Sequence, residues 1–162
     1  MRIRAYTNRD APEIRRMLNS LIEYADEILP DDVKKFEELG DREKALNYCI
    51  GLNKSKNKWK TFVCEGGDGE LLGFITGGIE KEIPGFRFSS YGNVEIFFVE
   101  KGFRGRGMGR DLLERMEAWF IEKECDAVKV DTWISNTAAR KAYKRMGFSE
   151  IALTFVKEAG KS

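Results

Sequence analysis

The segment Val94–Phe120 constrains the fold more strongly than any other part of the chain: VEIFFVEKGFRGRGMGRDLLERMEAWF. Its first residues, 94–99, are mostly apolar and rich in β-branched and aromatic side chains, which predicts a buried strand. A turn rich in glycine and arginine follows at 104–109, and large apolar residues then recur at helical spacing up to Phe120. The segment therefore predicts a strand, a tight turn and an amphipathic helix packed on a sheet.

This turn has the composition of an anion-binding site. Glycine lets the backbone approach a ligand closely, and the first turn of a helix presents unpaired N–H groups at its positive dipole end. Phosphate is the usual anion at such a site. Two common phosphate fingerprints do not fit, because Arg110 replaces the third glycine of a dinucleotide turn and Met108 replaces the lysine of a P-loop.

The spacing that does fit is Arg-x-x-Gly-x-Gly at Arg104, Gly107 and Gly109, between a strand ending in Val99 and a helix with a Leu-Leu pair. Here the chain resembles the GNAT superfamily of N-acetyltransferases, in which this turn wraps the pyrophosphate of acetyl-CoA. The resemblance implies that acetyl-CoA binds at the strand end and the turn. The residues concerned are Phe97, Phe98, Val99, Arg104, Gly105, Arg106, Gly107, Met108, Gly109 and Arg110. Backbone N–H groups should hold the pyrophosphate, with electrostatic support from the arginines.

A second motif lies downstream, with Asn136, Ala139, Tyr143 and Gly147-Phe148 at the spacing N-x-x-A-x-x-x-Y-x-x-x-G-F. It is similar to the C-terminal motif of the same superfamily. The resemblance implies that Asn136 bonds the pantetheine arm or a nearby backbone group. It also implies that Tyr143 protonates the departing CoA thiolate; a core tyrosine is the alternative.

The expected architecture is a single N-acetyltransferase domain over residues 1–162, of the α/β (α+β) class. The length suits one domain with a sizeable core. The resemblance implies a mixed, twisted central sheet of six to seven strands flanked by helices, and splayed at the fourth and fifth strands. The strand–helix–strand connection from Glu95 to Trp133 predicts parallel neighbours. We expect strands at 126–134 and at 148–158, and a loop at 83–93.

The composition of the chain limits which residues can act as metal ligands, acids or bases, and which partners the chain can bind. The chain has no histidine, and its 3 cysteines show no C-x-x-C spacing, so we expect no metal site. Acid–base work must then come from carboxylates, tyrosine or water. The formal net charge of +1 argues against a general nucleic-acid binder. Without a membrane-spanning run or a signal peptide, we expect a cytoplasmic protein with no membrane partner.

Glu95 is the candidate general base. An amine with a pKa of about 10 is mostly protonated at neutral pH and must lose a proton before it attacks a thioester. Strict strand alternation puts Glu95 on one face with Phe97 and Val99, and positions 94, 96 and 98 on the other. Several GNAT enzymes carry a glutamate here; a structural carboxylate paired with a cation is the alternative. The resemblance also implies an oxyanion donor at the backbone N–H of Phe98 or Val99.

The acceptor amine is less constrained. Residues 21–43 are rich in acids, which predicts either a solvated helix face or an acidic rim that attracts a cationic amine. The aromatic residues of the 83–93 loop, Phe86, Phe88 and Tyr91, could line an acceptor pocket or cover the sheet edge. The string Phe97-Phe98-Val99 is similar to spermidine/spermine acetyltransferases, but peptide or protein amines and other small amines stay open.

The expected reaction is direct attack of the amine on acetyl-CoA within a ternary complex, because no cysteine falls in a motif. Two other classes of function remain. The chain could be a non-catalytic acetyl-CoA-binding sensor or interaction module. It could instead bind nucleic acid through Arg104, Arg106, Arg110 and the lysine-rich loop at 53–60, which the near-neutral charge disfavours. Homodimers are common in the superfamily, so a homodimer is a further expectation of the resemblance.

Overall fold

The structure is a computed structural model and describes residues 1–37, 41–51, 57–82, 84–85 and 87–159. The described residues form one sheet of 5 strands in the order β1-β2-β3-β4-β5. The strands are β1 Arg2–Ala5, β2 Trp59–Glu65, β3 Leu71–Lys81, β4 Ser90–Val99 and β5 Ala127–Val130. The first four strands pair antiparallel, whereas β5 lies parallel to β4. The mixed sheet and the parallel pair are confirmed.

The helices lie on both faces of the sheet. They are α1 Ala11–Ile28, α2 Asp31–Glu37, α3 Arg42–Gly51, α4 Met108–Glu122 and α5 Thr137–Arg145. One core joins α1 and α3 to the sheet through residues such as Met17, Leu46 and Phe74. The other core joins α4 to the opposite face through residues such as Leu112 and Phe120. This layered arrangement confirms the expected single-sheet α/β fold.

Helix α4 packs very closely on the sheet. Met116 is fully buried and Phe120 is 1% exposed. A Cβ atom added to Gly77 would lie 2.6 Å from Phe120 Cζ and 2.9 Å from Met116 Sδ, so only glycine allows this contact. The close approach at Gly77 seats α4 directly on the sheet.

Helix α1 begins at a polar cluster. The Asp10 carboxylate accepts hydrogen bonds from the backbone N–H of Thr7 at 2.7 Å and from both terminal nitrogens of Arg4 at 2.8 and 2.9 Å. Arg4 also donates to Glu65 on β2 at 3.1 Å. These bonds tie the start of α1 to the first two strands, and hence fix where the helix crosses the sheet.

Three expected boundaries are wrong. Strand β4 begins at Ser90, so residues 90–93 belong to the sheet and not to the preceding loop. Strand β5 ends at Val130, because its pairing with β4 ends there. Residues 148–158 form no strand, since a strand needs a ladder of backbone bonds and none joins residues 151–157 to another described residue. The sheet consequently has 5 described strands and not six to seven.

Some sequence expectations fall outside the described residues. Phe86, residues 38–40 of the acidic segment and residues 53–56 are among them. Within the part of the chain that is described, none of the helices is long and apolar enough to cross a lipid bilayer.

Candidate active site

A slot opens where β4 and β5 separate. Their parallel pairing runs only from Tyr91↔Ala127 to Val94↔Val130. The remainder of β4, residues 95–99, keeps its pairing with β3 and has no partner on the β5 side among the described residues. The predicted splay of the fourth and fifth strands is therefore confirmed.

The backbone of β4 presents selected N–H groups to this slot. The N–H of Glu100 donates to Leu72 O on β3 at 2.9 Å. Backbone direction alternates along a strand, so the N–H of Phe98 also faces β3, while those of Phe97 and Val99 face the slot. The Phe98 ring is buried in the α1-side core. Of the two expected oxyanion donors, only Val99 is therefore open to a ligand.

The glycine-rich turn closes one end of the slot. Gly105 and Gly107 have φ of +77° and +89°, a left-handed conformation that other residues adopt only with strain. The N–H of Asp111 is bonded to Gly107 O at 3.1 Å, so the helical N–H groups of 108–110 precede the first intrahelical bond. A Cβ on Gly109 would lie 3.5 Å from Phe97 Cζ, which places this helix start beside the open end of β4. The turn has the geometry of an anion cradle.

The arginines of the turn are engaged with the protein itself. Arg104 Nε donates to Val99 O at 2.8 Å, and its guanidinium lies 5.4 Å from the centroid of the Tyr24 ring. The Arg106 guanidinium lies 5.7 Å from the Phe103 ring. Arg110 Nε is 3.7 Å from a Glu114 carboxylate oxygen. Arg104 thus fastens the turn to the end of β4, a role that the motif alone did not suggest.

Asn136 connects two sides of the slot. Its Oδ1 accepts the N–H of Ala139 at 3.1 Å and so caps α5. The same atom accepts the hydroxyl of Tyr24, on α1, at 3.3 Å. Of the two expected partners, the structure therefore shows a nearby backbone group, and it adds Tyr24, which sequence reasoning missed because the two residues are far apart in the chain.

The Tyr143 ring lies on the inner face of α5. Its centroid is 6.5 Å from that of Phe97 and 5.8 Å from that of Phe148. Burial raises the pKa of Tyr143 to about 12, so the phenol keeps its proton at neutral pH. Its hydroxyl makes no hydrogen bond to the other described residues. A half-buried, protonated phenol beside β4 has the properties of a proton donor.

Glu95 sits on a β-bulge. Ile96 pairs with Thr76 and Val94 pairs with Gly77, so Glu95 is an extra residue opposite the β3 backbone. A bulge breaks the alternation of side chains and re-aims the inserted one. The predicted alternation is therefore wrong: Val94 packs with the α4-side core, and Ile96 packs with the α1-side core.

The bulge turns Glu95 away from the side of Phe97 and Val99. Burial, and then the charge of Glu95, raise the pKa of the Cys49 thiol on α3, which places Glu95 on the α1–α3 side of the sheet. Phe97 and Val99 pack on the α4 side. The candidate base and the glycine-rich turn thus lie on opposite sides of β4.

Two other carboxylates, those of Glu80 and Asp131, act on this candidate base. The side-chain amide of Asn93 donates to Glu80 at 3.0 Å and to Glu95 at 3.2 Å. Burial first, and then the charges of Glu80 and Asp131, raise the pKa of Glu95. Glu95 therefore holds a proton more tightly than an ordinary glutamate. Sequence reasoning missed Glu80, because only the β3–β4 register brings it next to Asn93.

A buried hydroxyl marks the segment that leaves β5. Ser135 Oγ is buried and has no hydrogen-bond partner among the described residues. An unpaired buried hydroxyl costs about 1–3 kcal/mol, which a polar ligand group would recover. Ser135 directly precedes Asn136. An amide-bearing ligand such as pantetheine therefore fits the donors and acceptors of this region.

The remaining expectations concern the acidic segment, the aromatic residues of the 83–93 loop and metal binding. Glu43 pairs with Arg15 at 2.8 Å and Asp31 with Lys34 at 3.2 Å, which agrees with a solvated face for part of the acidic segment. The rings of Phe88 and Tyr91 meet edge to face at 6.1 Å. Among the described residues, no cluster of His, Cys, Asp or Glu is large enough to hold a metal ion.

Comparison with known proteins decides the family. The profile of the acetyltransferase (GNAT) family matches residues 17–148. The chain belongs to the GNAT family. The match includes β4, the glycine-rich turn and the Asn136–Phe148 motif, so the family assignment rests on the same elements that form the slot.

Curated relatives include aminoglycoside N(6')-acetyltransferases of type 1. That of Stenotrophomonas maltophilia is 29% identical over 90 residues, which are 55% of this chain and 59% of the relative. That of Salmonella typhimurium is 31% identical over 84 residues, or 51% and 58% of the two chains. The chain thus matches less than two thirds of the length of these GNAT relatives.

Solved structures with this GNAT fold align over nearly the whole chain. A mutant of the BH1408 protein from Bacillus halodurans has a TM-score of 0.81 at 18% identity, covering 98% of this chain and 99% of that one. AAC(6')-Iy, in complex with a bisubstrate analogue of CoA and acetylneamine, has a TM-score of 0.73 at 21% identity and covers 97% of both chains. At these identities the similarity shows the fold.

Proposed function

We propose that the protein is an acetyl-CoA-dependent N-acetyltransferase that moves an acetyl group to a primary amine by direct attack in a ternary complex. The observation that carries this proposal is the convergence at the slot. The Val99 N–H and the start of α4 lie along one side, and Tyr143 stacks beside Phe97. These groups supply an oxyanion donor, an anion cradle and a proton donor at one place.

Acetyl-CoA fits this slot in an extended form. The left-handed turn Gly105–Gly107 and the free N–H groups of residues 108–110 cradle the pyrophosphate. The open edge of β4 at Phe97 and Val99, together with Ser135, bonds the pantetheine amides. This assignment leaves Asn136 to cap α5 and Arg104 to hold the turn in place, so both residues act by positioning.

Three groups then handle the reaction. Glu95 accepts the proton of the ammonium group through water, and the free amine attacks the thioester carbon. The Val99 N–H stabilises the oxyanion of the tetrahedral intermediate. As the C–S bond breaks, the Tyr143 hydroxyl gives its proton to the CoA thiolate, and the second proton that leaves the attacking nitrogen restores the Tyr143 phenol. The products are an acetamide and CoA with a free thiol.

The acceptor we propose is a cationic primary amine with several charges. The charges of Glu80 and Asp131 both act on the Glu95 carboxylate, and all three carboxylates attract cations. Curated relatives are named aminoglycoside N(6')-acetyltransferases. Amino sugars of the aminoglycoside type are therefore the first acceptors to test, followed by polyamines and peptide amines.

The test is release of CoA thiol from acetyl-CoA in the presence of each class of amine. Release with one class, strongly reduced in Tyr143→Phe, would support the transferase and name its acceptor. If no amine is acetylated, a titration with acetyl-CoA separates two outcomes. Binding without turnover would support the sensor alternative, and absence of binding would overturn the proposed slot.

A further inference from the structure

Asn93 is a polar side chain that the sheet buries. It is 7% exposed and lies within β4, although asparagine is a poor strand former. Its backbone pairs with Gly78 on β3 and with Lys129 on β5, so the strand ladder does not depend on the side chain. A buried amide costs free energy unless its polar atoms are bonded. Strand formation therefore does not explain why an asparagine stands at this position.

The Asn93 side chain lies on the α1–α3 side of the sheet. A Cβ atom added to the preceding residue, Gly92, would lie 2.2 Å from the Phe120 ring of α4, so Asn93 faces the other way. The bulge that follows places Glu95 on this same side. Asn93 and the candidate base therefore share one face of β4, on the side away from the glycine-rich turn.

The two hydrogens of the Asn93 amide go to two different carboxylates. Its Nδ2 donates to Glu80 Oε1 at 3.0 Å and to Glu95 Oε2 at 3.2 Å. An amide turned the other way would present its oxygen to two acceptors, so the two carboxylates also fix the orientation of the amide. In return, each carboxylate accepts a hydrogen bond that favours its ionised form.

The bond from Asn93 holds one oxygen of Glu95 and leaves the other free. Glu95 Oε1 accepts no hydrogen bond from the other described residues, and no described lysine or arginine forms an ion pair with Glu95. The residue as a whole is exposed, so water reaches the carboxylate. One oxygen is thus fixed by the protein, and the other can accept a proton from water.

The charged neighbours of Glu95 come from three elements. Glu80 on β3 and Asp131 after β5 raise its pKa by their charges, in addition to burial. The Cys49 thiol of α3 feels the charge of Glu95, but burial and that charge raise the pKa of Cys49, so the thiol stays neutral at neutral pH. Lys129 of β5 is bonded to Glu82. The bonds from Asn93 therefore oppose the repulsion between Glu80 and Glu95.

We propose that Asn93 is a positioning residue for the transfer reaction: its amide bridges Glu80 and Glu95, orients the Glu95 carboxylate and stabilises its ionised form. The ionised form is the one that accepts the proton of the attacking ammonium group. This assignment rests on the proposed function, because it gives Asn93 its role through Glu95. The bridge itself exists independently of any substrate, so it can be measured on the protein alone.

The first experiment follows the titration of Glu95 by NMR, with carbon-13 in the side-chain carboxyl groups of glutamate and with Glu95→Gln to assign the signal. Asn93→Leu keeps the size of the side chain and removes both donors, so the Glu95 midpoint should move to higher pH. Glu80→Gln keeps an oxygen for the bond from Asn93 and removes a charge, so the midpoint should move to lower pH. Asn8→Leu, the same change at an exposed asparagine just before α1, should leave it unchanged.

A measurement on the wild-type protein makes the test independent of whether the variants fold. The side-chain NH₂ signals of Asn93 should shift with the same midpoint as the Glu95 carboxyl. Signals that stay constant through this titration would overturn the proposal. A folded Asn93→Leu protein with an unchanged Glu95 midpoint would also overturn it. A merely structural asparagine predicts lower stability in the variant but no change in the midpoint.

Kinetics then separate this proposal from the proposed function. With the amino sugar neamine as the acceptor probe, Asn93→Leu should lower kcat/KM by about 10-fold on the acid limb and leave acetyl-CoA affinity unchanged. The acid limb should follow the Glu95 midpoint in each variant, and a limb that does not follow it would remove Asn93 from the reaction. If no amine of any class is acetylated, the transferase proposal fails and the catalytic role of Asn93 fails with it, whereas the NMR titrations still show whether Asn93 controls the ionisation of Glu95.

Discussion

Glu95 illustrates how one inserted residue decides the direction of a functional side chain. The bulge between the Thr76 and Gly77 positions of β3 places Glu95 outside the regular ladder and on the α1–α3 side. There it shares the amide of Asn93 with Glu80. Two nearby carboxylates that share one donor favour keeping a proton on one of them, which suits a base that must also release its proton.

Replacing Glu95 with Gln should remove the acid limb of the pH profile. Because burial and neighbouring carboxylates raise the pKa of Glu95, wild-type kcat/KM should rise with pH around a midpoint above the ordinary value of about 4.3. Glu95→Gln should lower kcat/KM by about 100-fold and flatten this rise. Initial rates measured across the pH range check this, with Glu122→Gln as an exposed control. An unchanged profile would remove Glu95 from the mechanism.

Replacing Tyr143 with Phe should separate turnover from binding. The hydroxyl makes no bond to the other described residues, so its loss should leave acetyl-CoA affinity nearly unchanged. The loss of a proton donor should lower kcat by about 100-fold. Since the pKa of Tyr143 is about 12, the wild-type enzyme should show no loss of activity from this group below pH 10. Calorimetric titration and steady-state kinetics give the two values, and equal turnover in both proteins would retire the assignment.

At the scale of elements, the strand–turn–helix unit of β4 and α4 depends on backbone conformation more than on side chains. The two left-handed glycines reverse the chain, and Arg104 binds the carbonyl of Val99 across the reversal. The helix start is thereby held at the open end of β4. On the opposite side, the hydrogen bond between Tyr24 and Asn136 joins α1 to α5.

Replacing Gly107 with Ala should weaken acetyl-CoA binding. The φ of +89° at this position costs a residue with a side chain about 1–2 kcal/mol, so the turn should relax and misplace the N–H groups of the α4 start. We expect about 10-fold weaker binding in a titration. Gly102→Ala is the matched control, because Gly102 has no positive φ and open space around it. Equal affinities for the two variants would contradict the proposed cradle.

Replacing Asp10 with Ala should destabilise the start of α1. Removing one partner of the part-buried Arg4–Asp10 pair should lower the free energy of unfolding by about 2 kcal/mol. The bonds from Arg4 lower the pKa of Asp10 below its ordinary value. A lowered folded-state pKa stabilises the protein above the unfolded pKa of about 3.9, and this stabilisation is lost as the pH falls through the folded value. Urea unfolding at pH 7 and pH 3 tests this: the gap between wild type and variant should narrow in acid. Asp68→Ala, in the exposed hairpin turn, should change little.

At the scale of the whole molecule, the sheet separates two functions. The α4-side core carries the glycine-rich turn, and the α1–α3 side carries the carboxylates around Glu95. The two sides meet only where β4 and β5 part, so the proposed acetyl donor and amine acceptor approach each other through the sheet.

The sequence by itself determined the features that depend on neighbouring residues. Helix α4 and the glycine-rich turn before it follow from local spacing and backbone preference, and both appear in the structure. Local patterns carry this information because a turn or a cap is formed by residues a few positions apart.

Only the tertiary structure decided the features that depend on pairing across the chain. The bulge at Glu95, the choice of Val99 over Phe98, and the meeting of Glu80 with Asn93 all follow from the β3–β4 register. The early end of β5 likewise follows from which backbones lie side by side. The residues of a strand set the period of its side chains. They do not set where a bulge forms or where pairing with the neighbouring strand ends, because those contacts are made by distant segments.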